Sequence, residues 1–197
     1  MFHNAARLFS RLHGEKDPRD CILSRVPSQS VCAELGVYKG DFSQLILKTV
    51  RPKKLHLMDP WKFERDPTYT QSWYGGEVGK SQFHMDAVYE SVRHRFSSAI
   101  RSGAVGLHRG TSAECCSRFS DDYFDWIYID GNHQYEFVKQ DLEMYLPKVK
   151  PGGLVAGDYD NPGWWQDGVT KAVHEAIVCG RFEKVLIENR QFLLQKI

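Results

Sequence analysis

The chain has 197 residues, with 26 Lys and Arg against 25 Asp and Glu and a net charge of +1, a 42% hydrophobic share and a 26% charged share. That is ordinary for a soluble globular chain of one domain, here spanning 1–197, and the even charge argues against a nucleic-acid partner. No apolar run is long enough to span a membrane, and five Cys with no C-x-x-C pair argue against a disulfide framework or zinc site and fit a reducing, cytoplasmic setting.

Residues 4–25 read as helical, so that 1–27 form an N-terminal lead-in. Strand 1 is expected at about 30–36, followed by Gly36, Gly40 and a helix over 40–50. Lys54-Leu-His-Leu-Met-Asp59 alternates and ends on an acid, as a half-buried strand does, and Pro60 stops it. Residues 61–81 break the rhythm. They mix Trp61, Phe63, Tyr69, Trp73 and Tyr74 with Pro67 and three glycines, and long connections of this kind serve as lids or binding loops. A helix comes next over 83–102, with Val88, Val92 and Phe96 on one face, then strand 3 at 104–108 and a short helix capped by Thr111 or Ser112. Residues 123–130 are nearly all apolar, as in a strand buried on both faces. The turn 131–135, a helix over 136–146, the turn Pro151-Gly152-Gly153, strand 5 over 154–158, a second long loop over 159–167 and a helix over 168–178 come after it. Two strands at 182–188 and 191–196, joined by Asn189-Arg190, make an antiparallel pair. Alternating strands and helices give an α/β, Rossmann-like doubly wound sheet, mostly parallel, with a C-terminal antiparallel hairpin.

Ligands of such sheets bind beyond the carboxyl ends of the strands. Strand 1 ends on Glu34 and the pattern E-x-G-x-x-x-G, with Ser43 in the first turn of the next helix. Glycines let backbone N–H groups approach a ligand, and the helix N-terminus adds partial positive charge. A dinucleotide loop has a different spacing, G-x-G-x-x-G, and a strand-end carboxylate would repel its pyrophosphate. Glu34 suits instead a ligand carrying positive charge, such as S-adenosylmethionine with its ammonium and sulfonium. The bland alternative is an ordinary strand-to-helix turn with a solvated Glu. Asp59 is placed for two ribose hydroxyls, which an NAD site would also want.

This stretch resembles motif I of the class I methyltransferases, and the closing hairpin is what that class adds to the Rossmann plan. The resemblance covers roughly residues 28–197. Asp130-Gly-x-His-x-Tyr, Asp141-Leu, Pro151-Gly-Gly and Gly157-Asp158 further resemble the small methyltransferases related to macrocin O-methyltransferase and, more distantly, the catechol-type O-methyltransferases. The resemblance implies S-adenosylmethionine held by Glu34, Gly36, Gly40, Ser43, Asp59 and Asp130, with Ser112 matching an adenine contact. It also implies a small-molecule hydroxyl acceptor such as a sugar, natural product or phenol, His133 with Asp130 as catalytic residues, and Mg2+ on Asp130 and Asp158. The catechol-type enzymes place Lys where this chain has His133, and Asn where it has Tyr159; Asp160 or Asn161 could supply the missing oxygen. The competing readings are a non-catalytic S-adenosylmethionine-binding module and an NAD(P)-dependent oxidoreductase. Homo-oligomerisation stays open.

Overall fold

The structure, a computed structural model, describes residues 17–159 and 162–197. The first part of the expected helical lead-in, residues 1–16, lies outside them, and the remainder of the lead-in holds a single short helix, α1 (Asp20–Leu23). Seven strands, β1 (Val31–Leu35), β2 (Lys54–Asp59), β3 (Val105–Arg109), β4 (Phe124–Ile129), β5 (Val149–Asp158), β6 (Phe182–Glu188) and β7 (Gln191–Lys196), form one sheet in the order β3-β2-β1-β4-β5-β7-β6. The first five run parallel, and β7 enters antiparallel between β5 and β6. Strand order reverses at β1, so the carboxyl ends of β1 and β4 flank the crevice where such sheets bind ligands.

The period of two decides which face each strand residue serves. Cys32, Leu55, Leu57, Trp126 and Tyr128 meet α2 (Asp41–Thr49) and α4 (Gln82–Arg95) through Phe42, Ile46, Met85 and Val92. Ala33, Met58, Ile127 and Ile129 meet α6 (Ser112–Cys116), α7 (Tyr135–Tyr145) and α8 (Gly168–Val178) on the other face. A central strand covered on both sides must be apolar on both sides, which is why Phe124–Ile129 reads as a near-continuous hydrophobic run. Its Trp126 is fully buried and satisfies its indole N–H on the Ser30 hydroxyl at 2.8 Å.

Two expected boundaries move. The helix expected over 83–102 is two, α4 and α5 (Ser97–Arg101), because the backbone leaves helical geometry at Phe96 (φ −97°, ψ 11°). The Phe96 ring lies against Gly40, so the break fixes α4 onto the turn after β1. The turn expected at Pro151-Gly152-Gly153 lies inside β5, which starts at Val149 and changes register against β4 between Phe124 and Trp126. Residues 61–81 hold a 3-10 turn (Pro67–Tyr69) and one helical turn, α3 (Gly76–Gly79). All five cysteines are free thiols. Among the described residues, no helix is long and apolar enough to cross a membrane.

A polar chain crosses the β2–β3 edge: His108 and His56 share a ring-to-ring hydrogen bond of 2.9 Å, and His56 meets the Tyr123 hydroxyl at 3.1 Å. One ring must stay neutral to accept. Burial, then the neighbouring His108, lowers the His56 pKa from 6.5 to about 4. A folded-state pKa held below the unfolded one supplies stability that is present above the unfolded value and lost as pH falls toward the folded one. Between about pH 6.5 and 4 this ring should therefore cost up to roughly 3 kcal/mol, at about 1.4 kcal/mol per unit. Urea unfolding should show a smaller loss over that window for His56→Leu than for wild type; equal losses would place the acid sensitivity elsewhere.

Candidate active site

The glycine turn is held where three strand ends meet. The Gly36 N–H donates to the Met58 carbonyl at 2.9 Å, and the Asp130 N–H donates to the Leu35 carbonyl at 2.8 Å. Gly36 has φ +92°, and a Cβ on it would stand 2.0 Å from the Asp130 carbonyl oxygen. Only glycine allows both that backbone and that approach, so the E-x-G pattern is what brings Asp130 beside the turn. Gly40, in the left-handed region, opens α2.

Glu34 is buried, 2% exposed, and accepts a hydrogen bond from the Ser43 hydroxyl. The two residues that the sequence placed at the end of strand 1 and the start of the helix thus form one pair. Burial pushes the Glu34 pKa up to about 8, against the lowering effects of Ser43 and Arg19. A cation alongside would favour its ionised form.

Asp59, the expected ribose acceptor, is bound from within the fold. It is 1% exposed and already engaged: Oδ2 accepts the Val37 and Tyr38 N–H groups at 2.9 Å each, and Oδ1 accepts the Trp61 N–H at 2.6 Å. The Tyr74 hydroxyl also donates to Oδ2. Burial raises the Asp59 pKa, while the Tyr74 hydroxyl and the three N–H groups lower it. The carboxylate is the peg around which the turn after β1 and the start of the 61–81 loop are wound. Of the two expected caps of the helix after β3, Thr111 serves and Ser112 pairs elsewhere. The α6 cap is Thr111, which forms a reciprocal box with Glu114. The Ser112 hydroxyl donates to buried Asp141, whose pKa burial pushes up to about 6.

Residues 61–81 are pinned by aromatic anchors. Trp61 is fully buried and donates its indole N–H to the Tyr38 carbonyl at 2.8 Å. Trp73 lies 4.9 Å from the Tyr38 ring, centroid to centroid. The Tyr69 hydroxyl accepts from the Asn132 side chain at 2.7 Å and from Gln134 at 3.4 Å, which ties the loop to the turn after β4. The Tyr69 ring also meets Trp165 of the second loop at 6.2 Å.

The third cluster combines β4, its turn and β5. Asp130, His133 and Asp158 each offer a ligand atom, all within 4.8 Å of one another, and His133 Nε2 lies 3.4 Å from Asp130 Oδ1. Parallel pairing of β4 with β5 brings the two strand-end acids level. His133 is held by the helix behind it, since a Cβ on Gly168, the first residue of α8, would stand 2.3 Å from the His133 carbonyl. Tyr159 points its hydroxyl to His174 at 3.1 Å. Asp160 and Asn161, the expected extra oxygen donors, lie outside the described residues.

Sequence reasoning missed Tyr74 as a partner of Asp59 and Gln191 as a partner of Asp158. Both are brought in by long-range pairing that leaves no local pattern.

A sheet of this order, with a glycine turn and acids at the ends of β1, β2, β4 and β5, defines a methyltransferase-type crevice. A methyltransferase-domain family matches residues 33–159. The chain belongs to that family, within the class I, S-adenosylmethionine-dependent methyltransferases. Solved structures of low identity share the fold. A candidate caffeoyl-CoA O-methyltransferase from Staphylococcus aureus superposes with TM-score 0.62 at 15% identity, over 98% of this chain and 91% of the other. The O-methyltransferase NovP gives TM-score 0.58 at 22% identity, over 91% and 76%. A candidate methyltransferase from Streptococcus mutans in complex with SAH gives 0.57 at 13%, over 92% and 99%. The chain spans 9% and 58% of the length of the curated relatives it matches.

Proposed function

We propose that the chain transfers the methyl group of S-adenosylmethionine to a hydroxyl of a small molecule, in the crevice between the glycine turn and the 61–81 loop. The observation that carries this reading is the convergence of His133, Asp130 and Asp158 beside the glycine turn. A module that merely bound the cofactor would need the Glu34 side of the crevice and not this cluster. In the transfer, the acceptor oxygen attacks the sulfonium methyl, the carbon–sulfur bond breaks, S-adenosylhomocysteine leaves, and the hydroxyl proton passes to a base. His133 is the base, the side-chain type most often used for such a proton transfer, and the Asp130 carboxylate, 3.4 Å from its Nε2, stabilises the imidazolium that forms.

Two carboxylates also suit a hard divalent cation such as Mg2+ that keeps several waters. Held by Asp130 and Asp158, such an ion would lower the pKa of the acceptor hydroxyl. The imidazole beside them is a donor that Mg2+ seldom takes, which keeps His133 available as the base.

Glu34, Ser43, Gly36 and Gly40 would receive the amino-acid end of the cofactor, Asp59 its ribose and Ser112 the region of its adenine. For Asp59 this requires an exchange: the ribose hydroxyls would take the lone pairs that the Tyr74 hydroxyl occupies, and the loop would loosen as they did so. Tyr74→Phe removes the competitor. Hydrogen bonds to charged groups are worth about 1.5–3 kcal/mol, so calorimetry should show S-adenosylhomocysteine binding tighter by about tenfold or more. Proteolysis within 61–81 should be faster in the same variant. Unchanged affinity would mean that the ribose never reaches Asp59.

The reading is tested with isotopically methyl-labelled S-adenosylmethionine and a panel of hydroxylated sugars and phenols, with product identified by mass spectrometry. Label found only on nitrogen acceptors or nucleic acid would overturn O-methylation. A protein that binds NADH and ignores S-adenosylhomocysteine would overturn the whole reading.

A further inference from the structure

We propose that Gln191, locked by Tyr128, is a positioning residue that sets the orientation of the Asp158 carboxylate; this rests on the reading of Asp158 as part of the methyl-transfer cluster. Gln191 is fully buried on β7, directly across the antiparallel ladder from Asp158. Its Nε2 donates to Asp158 Oδ1 at 2.7 Å and to the Arg190 carbonyl at 2.6 Å. Its Oε1 accepts from the Tyr128 hydroxyl at 2.6 Å.

The chemistry allows this chain only one polarity. A carboxylate only accepts and a carbonyl only accepts, so the amide must turn its NH2 toward Asp158 and Arg190. Its oxygen then faces Tyr128, whose hydroxyl must donate. Tyr128 has no freedom to do otherwise, being fully buried on β4, the middle strand of the sheet, with its ring 4.4 Å from Phe42. The order is therefore relayed from the middle of the sheet, through a hydroxyl and an amide, to a carboxylate at the edge of the crevice. Asp158 is 8% exposed and brings a carboxylate oxygen within 4.8 Å of the ligand atoms of Asp130 and His133, so the bond from Gln191 acts on how that carboxylate is presented to them. Buried amides are costly unless fully bonded.

Partners that orient a metal- or proton-handling carboxylate typically change affinity or activity by 10–100-fold when removed. Two variants separate the parts. Gln191→Leu deletes the donor to Asp158; Tyr128→Phe keeps the donor and frees the amide to rotate. Mn2+ binding followed by electron paramagnetic resonance should weaken by roughly 10–100-fold in Gln191→Leu and by less in Tyr128→Phe. Binding of S-adenosylhomocysteine, on the other side of the crevice, should be unchanged in both. Parallel loss of cofactor binding would make the pair a plain structural element and overturn the proposal. A wild-type protein that takes no Mn2+ would remove the metal from the proposed function and leave the positioning role to crystal structures of the two variants. Asp158 should then adopt a second rotamer in Gln191→Leu, and a carboxylate that keeps its place in both variants overturns the proposal.

Discussion

Asp59→Ala is expected to lose both fold stability and cofactor binding, by separate routes. The carboxylate satisfies three backbone N–H groups, of Val37, Tyr38 and Trp61, in a buried place. An orphaned buried donor costs about 1–3 kcal/mol, so the variant should lose on the order of 3–5 kcal/mol, the range reached only by breaking a buried network. Against a usual total of about 5–15 kcal/mol, the protein would be marginal at room temperature. Urea unfolding measures the first effect. Calorimetry with S-adenosylhomocysteine, on the fraction still folded, measures the second. A variant that keeps wild-type stability and loses only affinity would mean that the N–H groups find water and that Asp59 serves the ligand alone.

His133→Ala should slow methyl transfer by about 100-fold or more, since a general base contributes typically 10²–10⁴-fold. EDTA makes the complementary test. Where a cation on Asp130 and Asp158 supplies the acidification, chelation should stop the reaction in wild type while His133→Ala keeps a residual, metal-dependent rate. Where His133 acts alone, chelation does nothing. The affinity for S-adenosylhomocysteine should survive both treatments, because the glycine turn and Glu34 lie on the far side of Asp130. Transfer indifferent to both EDTA and the substitution would move the chemistry out of this cluster.

The parts of the site that the sequence announced are those where chemistry and local geometry coincide. Glu34, Gly36 and Ser43 sit within ten positions of one another, and a turn that brings two elements together must state its needs in that span. Asp130 and Asp158 could be placed because a parallel strand order aligns carboxyl ends, and His133 because it lies one turn beyond one of them. The register of the hairpin was another matter. Asn189 and Arg190 both take left-handed backbone, as a two-residue hairpin turn requires, but that an antiparallel β7 would pair with β5 and set Gln191 opposite Asp158 depends on sheet order. Tyr74 was visible only as one aromatic among five in a loop. Its use is fixed by a contact 15 positions away, through a buried acid whose pairing with backbone N–H groups left no trace in composition. The break at Phe96 was hidden for the same reason: its ring packs against Gly40, more than fifty residues upstream.

The insertion of β7 between β5 and β6 bears on how the chain is made. β7 is synthesised after six of the strands it joins, yet it is an interior strand. Until residues 191–196 leave the ribosome, β5 presents a bare hydrogen-bonding edge carrying Val155 and Ala156, and β6 has no partner at all. Open apolar edges recruit other chains, and domains generally fold as units once enough of the chain has emerged. Pausing during translation in the stretch from α8 to β6 would thus expose a nascent chain to edge-to-edge association, whereas the emergence of β7 closes the gap in one step.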